Sequence, residues 1–391
     1  MSPRVYKVWP RLAVENFGPI KSANVAFGDL TVLVGPQATG KSIFLQLLKL
    51  IREPHYIKYE FRRAGIDWGG KFGDFLGVYF GEGMQGLWDP KRTKVAFCGD
   101  AVDLPKVVEA AKARKGESTF FIPAQRVLTM REGWPQAFTY YDPGVPFAVR
   151  EFSEELRLMM NQYGGDKVLF PMPRRLKDEF RQMLQHHIFP TFDLKVDTER
   201  AQKRLVLSSA NDSLPFMVWS AGQREFVPLL LGLYHLMTPA GASRRQGVEW
   251  AIIEELEMGL HPRAIGVVLL MIFELMARGY KVCVSTHSPQ VLEALWALKR
   301  LRESGAAPEA MLEVFEAPET SGMLKLADTV MKKTCKVYYF DRKGASQDIS
   351  ALDAFSEDEG EGGWGGLSEF SGRANEAVAK AVANASRREK R

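Results

Sequence analysis

An α/β fold, a central sheet with helices packed on both faces, is predicted by three observations. Leu30-Thr31-Val32-Leu33-Val34 is a largely apolar run that leads straight into Gly35-Pro36-Gln37-Ala38-Thr39-Gly40-Lys41-Ser42. Trp250-Ala251-Ile252-Ile253 is a second run, closed by Glu254-Glu255, and Lys281-Val282-Cys283-Val284-Ser285 is a third, delivering Thr286-His287-Ser288-Pro289. Short apolar runs of this kind, each followed by apolar residues at helical spacing, read as buried strands of a sheet wound with helices.

In chain order, Arg11–Phe17 alternates apolar and polar residues, Gly18-Pro19 marks a turn, and residues 21–27 alternate again, which predicts a hairpin. The next run feeds a loop that matches the phosphate-binding pattern G-x-x-x-x-G-K-[ST] at every fixed position. Gly35 and Gly40 let the backbone turn so that N–H groups point inward, and the following helix N-terminus adds partial positive charge. In this pattern Lys41 reaches the β- and γ-phosphates of a nucleoside triphosphate and Ser42 ligates Mg²⁺. Ile43, Phe44, Leu47, Leu48 and Ile51 lie at helical spacing behind it. Residues 68–90 mix glycines with Trp68, Phe72, Phe75, Tyr79, Phe80 and Trp88, and are expected to fill a small β core.

Residues 94–98 and 118–122 read as strands with a short basic helix over 104–115 between them, and the second strand ends in the polar pair Gln125-Arg126. Helical spacing returns over 145–164 and 174–188 as an insertion. His186 and His187 are adjacent, point in different directions on a helix and make a poor metal pair. Residues 192–196 and 204–208 form a second predicted hairpin; Trp219-Ser220-Ala221-Gly222-Gln223 then precedes an apolar helix over 226–237. Pro262 suits a helix start, and that helix runs to about Ala277. Residues 336–341 are expected to be an edge strand, 356–366 a flexible acidic linker, and 373–391 a solvated basic tail.

The balance of 46% hydrophobic and 25% charged residues in a chain of 391 is that of an ordinary globular protein. A net charge of +5 permits nucleic-acid contact without implying it. Cys98, Cys283 and Cys335 lie far apart with no C-x-x-C pair, so neither a zinc ribbon nor a disulfide framework is expected, and all three are read as buried thiols in a reducing compartment. No signal-like apolar core opens the sequence, and the longest apolar run, 265–273, stops at Glu274, short of a bilayer span. A cytoplasmic protein without membrane contact is expected.

Taken together, the phosphate loop, Ser220-x-Gly222-Gln223, Glu254-Glu255 and His287 stand in an order that resembles the ATP-binding-cassette (ABC) ATPases. The phrases Glu-Glu-x-Glu-x-x-Leu-His-Pro and Ser-Thr-His-Ser-Pro look like the OLD-type and chromosome-maintenance branch. The resemblance implies an ABC-type head with a mixed central sheet, an N-terminal hairpin and a helical insertion. It makes Glu254 the acid that holds Mg²⁺, Glu255 the group that polarises the attacking water, and His287 the sensor of the γ-phosphate. Ser220, Gly222 and Gln223 would face the nucleotide of an opposite protomer, and Gln125 would link Mg²⁺ to the insertion. Glu254 stands where Asp is usual, the signature begins Trp-Ser-Ala, and Leu256 occupies a position where Pro is common, which points to slow or partner-dependent hydrolysis.

The implied organisation is an N-terminal lobe over 1–130, an insertion and hairpin over 131–215, a C-terminal lobe over 216–350, and a linker and tail over 351–391. The insertion is too short for a long coiled coil, and the residues after His287 contain no D-x-D pair for a Toprim nuclease. The chain is therefore similar to the ATPase subunits of PARIS-like phage-defence systems, with a homo-oligomer of at least two copies and a separate effector, such as a Toprim nuclease, as partners. The alternatives are a RecF-like ATPase that binds DNA, with Lys299, Arg300 and Arg302 as contacts, and a non-hydrolysing scaffold.

Overall fold

The computed structural model describes residues 9–162, 168–171, 176–198, 203–209, 212–237, 244–353, 356, 359–364, 366–367, 374 and 377–379. The N-terminal segment 1–8 and most of the acidic linker and basic tail lie outside the described residues.

A six-stranded sheet organises the chain, in the order Ser346–Asp348, Cys335–Phe340, Leu30–Val34, Lys281–Ser285, Trp250–Glu254, Thr119–Ile122. All neighbours pair parallel except the outermost strand, Ser346–Asp348, which is antiparallel. Because side chains alternate along a strand, the sheet feeds two cores. Leu30, Val32, Val34, Ala251, Ile253, Val282 and Val284 enter one, with the helices Ala221–Leu236 and Pro262–Ala277. Leu33, Ile252, Cys283 and Trp250 enter the other, with Phe44, Leu47 and Leu48 of the helix Lys41–Arg52 and with Leu12, Val14 and Phe17. Burial on both faces explains why these strands read as unbroken apolar runs.

The first predicted hairpin is present as Arg11–Phe17 against Ile20–Ala26, extended by Lys94–Phe97 and Asp100–Ala101 into a four-stranded antiparallel sheet. The second, Asp193–Asp197 against Arg204–Ser208, is the middle of another four-stranded sheet with Val168–Phe170 and Ser213–Pro215. The helix Phe147–Asn161 joins both cores through Phe147, Phe152 and Leu156, and so is packed into the head itself.

Three expectations are corrected. The aromatic stretch forms a helix, Phe72–Phe80, not a β core: Phe72, Phe75 and Tyr79 stack at 5.9 and 5.8 Å along one face, the spacing of successive helical turns. Cys335–Phe340 is an interior strand, paired with Leu30–Val34 on one side and covered at its edge by Ser346–Asp348. Cys98 is exposed in a turn with positive φ; only Cys283 is fully buried, and its thiol is pushed up by burial. Within the acidic segment, Glu359–Gly362 is helical and the Trp364 ring lies 6.5 Å from that of Trp296. Among the described residues no helix is long and apolar enough to cross a membrane.

Candidate functional site

The glycine loop is shaped by its neighbours. Gly35 has φ +138°, and a Cβ there would sit 2.1 Å from the carbonyl oxygen of Phe340 on the adjacent strand; Gly40 has φ +95° and would press on Ile20. Neither position accommodates a side chain, which ties the two fixed glycines of the motif to close backbone approach. Ala38 is also left-handed. Thr39 is buried and its hydroxyl donates to the Pro36 carbonyl, whereas Gln37, Ala38 and Ser42 are exposed. The Lys41 ammonium folds over the loop and donates to the carbonyls of Gly35 and Pro36, both at 2.8 Å. Burial pulls the Lys41 ammonium below its ordinary range, against the opposing pull of Glu255, Glu254 and Glu257.

Those three acids lie at and beyond the C-terminal end of the strand Trp250–Glu254, where ligands gather in open α/β sheets. Glu254 is 1% exposed. Its Oε2 accepts the Ala124 N–H at 3.1 Å, while Oε1 is buried without a hydrogen-bond partner. Burial pushes this carboxyl up, and hydrogen bonds from Ser42 and Ala124 oppose the shift. An orphaned carboxylate oxygen beside a serine hydroxyl is the hard oxygen donor set that Mg²⁺ takes, so the residues fit that ion.

Glu255 has φ +45°, an uncommon conformation for a side chain of its size. Its N–H donates to Ser285 O at 3.0 Å on the neighbouring strand, and its Oε1 is 3.2 Å from His287 Nε2. His287 in turn donates its backbone N–H to Glu257 Oε1. Burial pushes the Glu257 carboxyl up, and its Oε2 has no hydrogen-bond partner. The structure therefore brings together Lys41, Ser42, Glu254, Glu255 and His287, and adds Glu257, to which sequence reasoning gave no role although it stands in the acidic phrase.

Ser220, Gly222 and Gln223 are placed differently. Ser220 caps the helix Ala221–Leu236: its Oγ accepts the Gln223 N–H at 3.2 Å and Gln223 Oε1 accepts the Ser220 N–H at 3.1 Å, a capping box that occupies both side chains. A Cβ on Gly222 would meet Gly259 O at 2.7 Å, so this glycine lets the helix Ala221–Leu236 touch the loop after the acids. Gln125 is exposed at the start of the turn Arg126–Thr129. Its neighbour is the missed residue. Arg126 is fully buried and donates to the carbonyls of Glu254 (2.9 Å), Glu255 (2.9 Å) and Glu225 (3.1 Å), joining the acidic strand end to the helix Ala221–Leu236. Its acceptors are all backbone carbonyls of residues distant in the chain, so residue type carried no signal for this role. Of the suggested DNA contacts, Lys299 donates to Ala351 O and Arg300 pairs with Glu303 at 3.1 Å.

The family model described as "AAA domain, putative AbiEii toxin, Type IV TA system" matches residues 162–293. That span is under half of the chain; it holds Ser220, Glu254, Glu255 and His287 but not the glycine loop. Among solved structures, an SMC head bound to the C-terminal winged-helix domain of ScpA aligns over 86% of this chain and 96% of its own, at 10% identity and TM-score 0.39. The SMC head domain from Thermotoga maritima aligns over 86% and 97%, at 10% identity and TM-score 0.34. A dimeric bacterial ABC transporter cassette aligns over 86% and 98%, at 11% identity and TM-score 0.34. No curated protein matches the chain by sequence.

Proposed function

We propose that the chain is an ABC-like P-loop ATPase that binds ATP with Mg²⁺ on residues 35–42, closes against a second copy, and through that closure controls a separate effector. The observation that carries this reading is the convergence of Lys41, Glu254, Glu255 and His287 at neighbouring strand ends.

Each residue has a chemical task. The N–H groups of the loop and the start of the helix Lys41–Arg52 receive phosphate oxygens. Lys41 exchanges two neutral carbonyl acceptors for anionic ones, a stronger bond for its ammonium. Ser42 and Glu254 hold Mg²⁺, which when bound neutralises phosphate charge. Glu255, held at a positive φ and steadied by His287, orients the attacking water, since phosphoryl transfer depends mainly on positioning and electrostatics. His287, tied to both Glu255 and Glu257, reports the state of the γ-phosphate to the loop after the acids.

A second copy is supported by what the site leaves outside. Leu128, Met217 and Val218 are exposed apolar residues, 64%, 67% and 62% accessible, and they flank Gln125 and Ser220. Apolar side chains exposed beside two candidate phosphate-contacting segments suit closure onto another protomer. The effector reading, a nuclease in antiviral defence, draws on the resemblance to two-gene defence ATPases and agrees with the toxin–antitoxin wording of the partly matching family.

The test is ATP hydrolysis by the purified chain, alone and with the product of a neighbouring gene. Turnover lost in Glu255→Gln with ATP binding retained supports the reading. Equal turnover in wild type, Glu255→Gln and Lys41→Met overturns it.

A further inference from the structure

The helix Lys41–Arg52 carries a second lysine into the core. Lys49 is fully buried; its Nζ donates to Thr119 O at 2.6 Å and is ion-paired with Glu53, with Glu151 at 2.9 Å and with Glu117 at 3.7 Å. Glu155 follows one helical turn after Glu151. Nearby Arg63 is held by Glu60 and Glu154, and Arg245 at the rim acts on Glu155 only through space. Buried acids thus outnumber the cations that reach them, and burial pushes the carboxyls of Glu117, Glu151 and Glu155 upward.

At the edge of this cluster Glu117, Glu155 and His235 converge from three segments: the residues before the strand Thr119–Ile122, the helix Phe147–Asn161, and the last turn of the helix Ala221–Leu236. Each offers one ligand atom, and those atoms all lie within 4.8 Å of one another. They line a cavity of about 570 Å³ bordered by Tyr56 and Arg245. His235 has a side-chain exposure of 2% and its ring stacks on Phe120 at 4.4 Å, which fixes the plane of the imidazole. The Glu117 side chain is 10% exposed, yet its Oε1 is buried without a hydrogen-bond partner. The ammonium nearest to it, Lys49, is already shared with the closer Glu53 and Glu151. The cation nearest to this buried oxygen is thus one ammonium, 3.7 Å away, that three carboxylates share.

We propose that Glu117, Glu155 and His235 bind a divalent transition-metal ion, at a site distinct from the Mg²⁺ position at Ser42 and Glu254. One imidazole with two carboxylates suits Zn²⁺ or Mn²⁺ better than Mg²⁺, which prefers oxygen alone. Bonds of about 2.1 Å place three donors on one ion about 3.4–3.6 Å apart, so the site closes with each donor shifting by under about an ångström. The ion fastens the far end of the helix that begins at Ser220 to the helix Phe147–Asn161 and, through Lys49, to the helix behind the phosphate loop. Because the ligands come from three separate segments, binding stabilises the folded head.

The test uses the full chain stripped with chelator, without nucleotide, in a Glu254→Gln background that silences the other acid. Co²⁺ is the probe. The proposal expects one equivalent of Co²⁺ with visible d–d absorption, displaced by Zn²⁺, and a rise in melting temperature on adding Zn²⁺. Glu155→Gln, at a partly exposed position, lowers Co²⁺ affinity by at least about tenfold while keeping the fold, and His235→Gln does the same. Absence of a stoichiometric Co²⁺ signal in the parent chain, or affinity unchanged in both variants, overturns it. The readout does not depend on ATP hydrolysis.

Discussion

Lys41 and Lys49 stand two turns apart on one helix, both buried, and their surroundings are opposite. Lys49 is enclosed by Glu53, Glu151 and Glu117, which hold its ammonium well above the usual range. Lys41 feels three acids from a distance but touches only the neutral carbonyls of its own loop, and burial pulls it down. A buried lysine saturated by carboxylates is a structural part. One held near acids and bonded only to carbonyls is ready for an anion. The distinction lies in partners, since residue type, helix and burial are shared.

Substitutions at the two positions break or sharpen this comparison. Lys49→Met leaves buried carboxylates without their ammonium and is expected to cost about 3–5 kcal/mol of stability by urea unfolding. Lys41→Met removes only carbonyl contacts, so its unfolding midpoint stays near wild type, while ATP hydrolysis falls by about a hundredfold or more. If both variants unfold with the same large loss, the two lysines are not different in kind. Arg126→Lys keeps a charge but loses the fork that reaches three carbonyls, with an expected cost of about 2 kcal/mol and a drop in hydrolysis larger than any drop in ATP affinity. Ser220→Ala removes a helix cap worth about 1 kcal/mol. Ser220→Asp retains that cap, so its unfolding midpoint stays at the wild-type value.

Much of the head was legible because its chemistry is local. The loop 35–42 has fixed spacing, and the strands Trp250–Glu254 and Lys281–Ser285 are buried on both faces, so their apolar runs are continuous and their polar ends stand out. Pro262 marked its helix to the residue. What was missed is nonlocal. Cys335–Phe340 looks like an edge until its pairing with Leu30–Val34, some three hundred positions earlier, is known. The acids around Lys49 arrive from three segments, and only the Lys49–Glu53 pair has a spacing visible along one helix. Arg126 reads as a surface residue beside Gln125 because its acceptors are backbone carbonyls of distant residues, which leave no trace in residue type.

The capping box at Ser220 brings the central question into focus, since within one chain the signature residues satisfy each other. In the proposed function their remaining partner is a nucleotide on a second copy. Sedimentation of Glu255→Gln with and without ATP and Mg²⁺ tests this most directly. Mass should at least double when ATP is present and stay monomeric when Lys41→Met or Ser220→Asp is added; an identical mass with and without ATP would contradict the composite site.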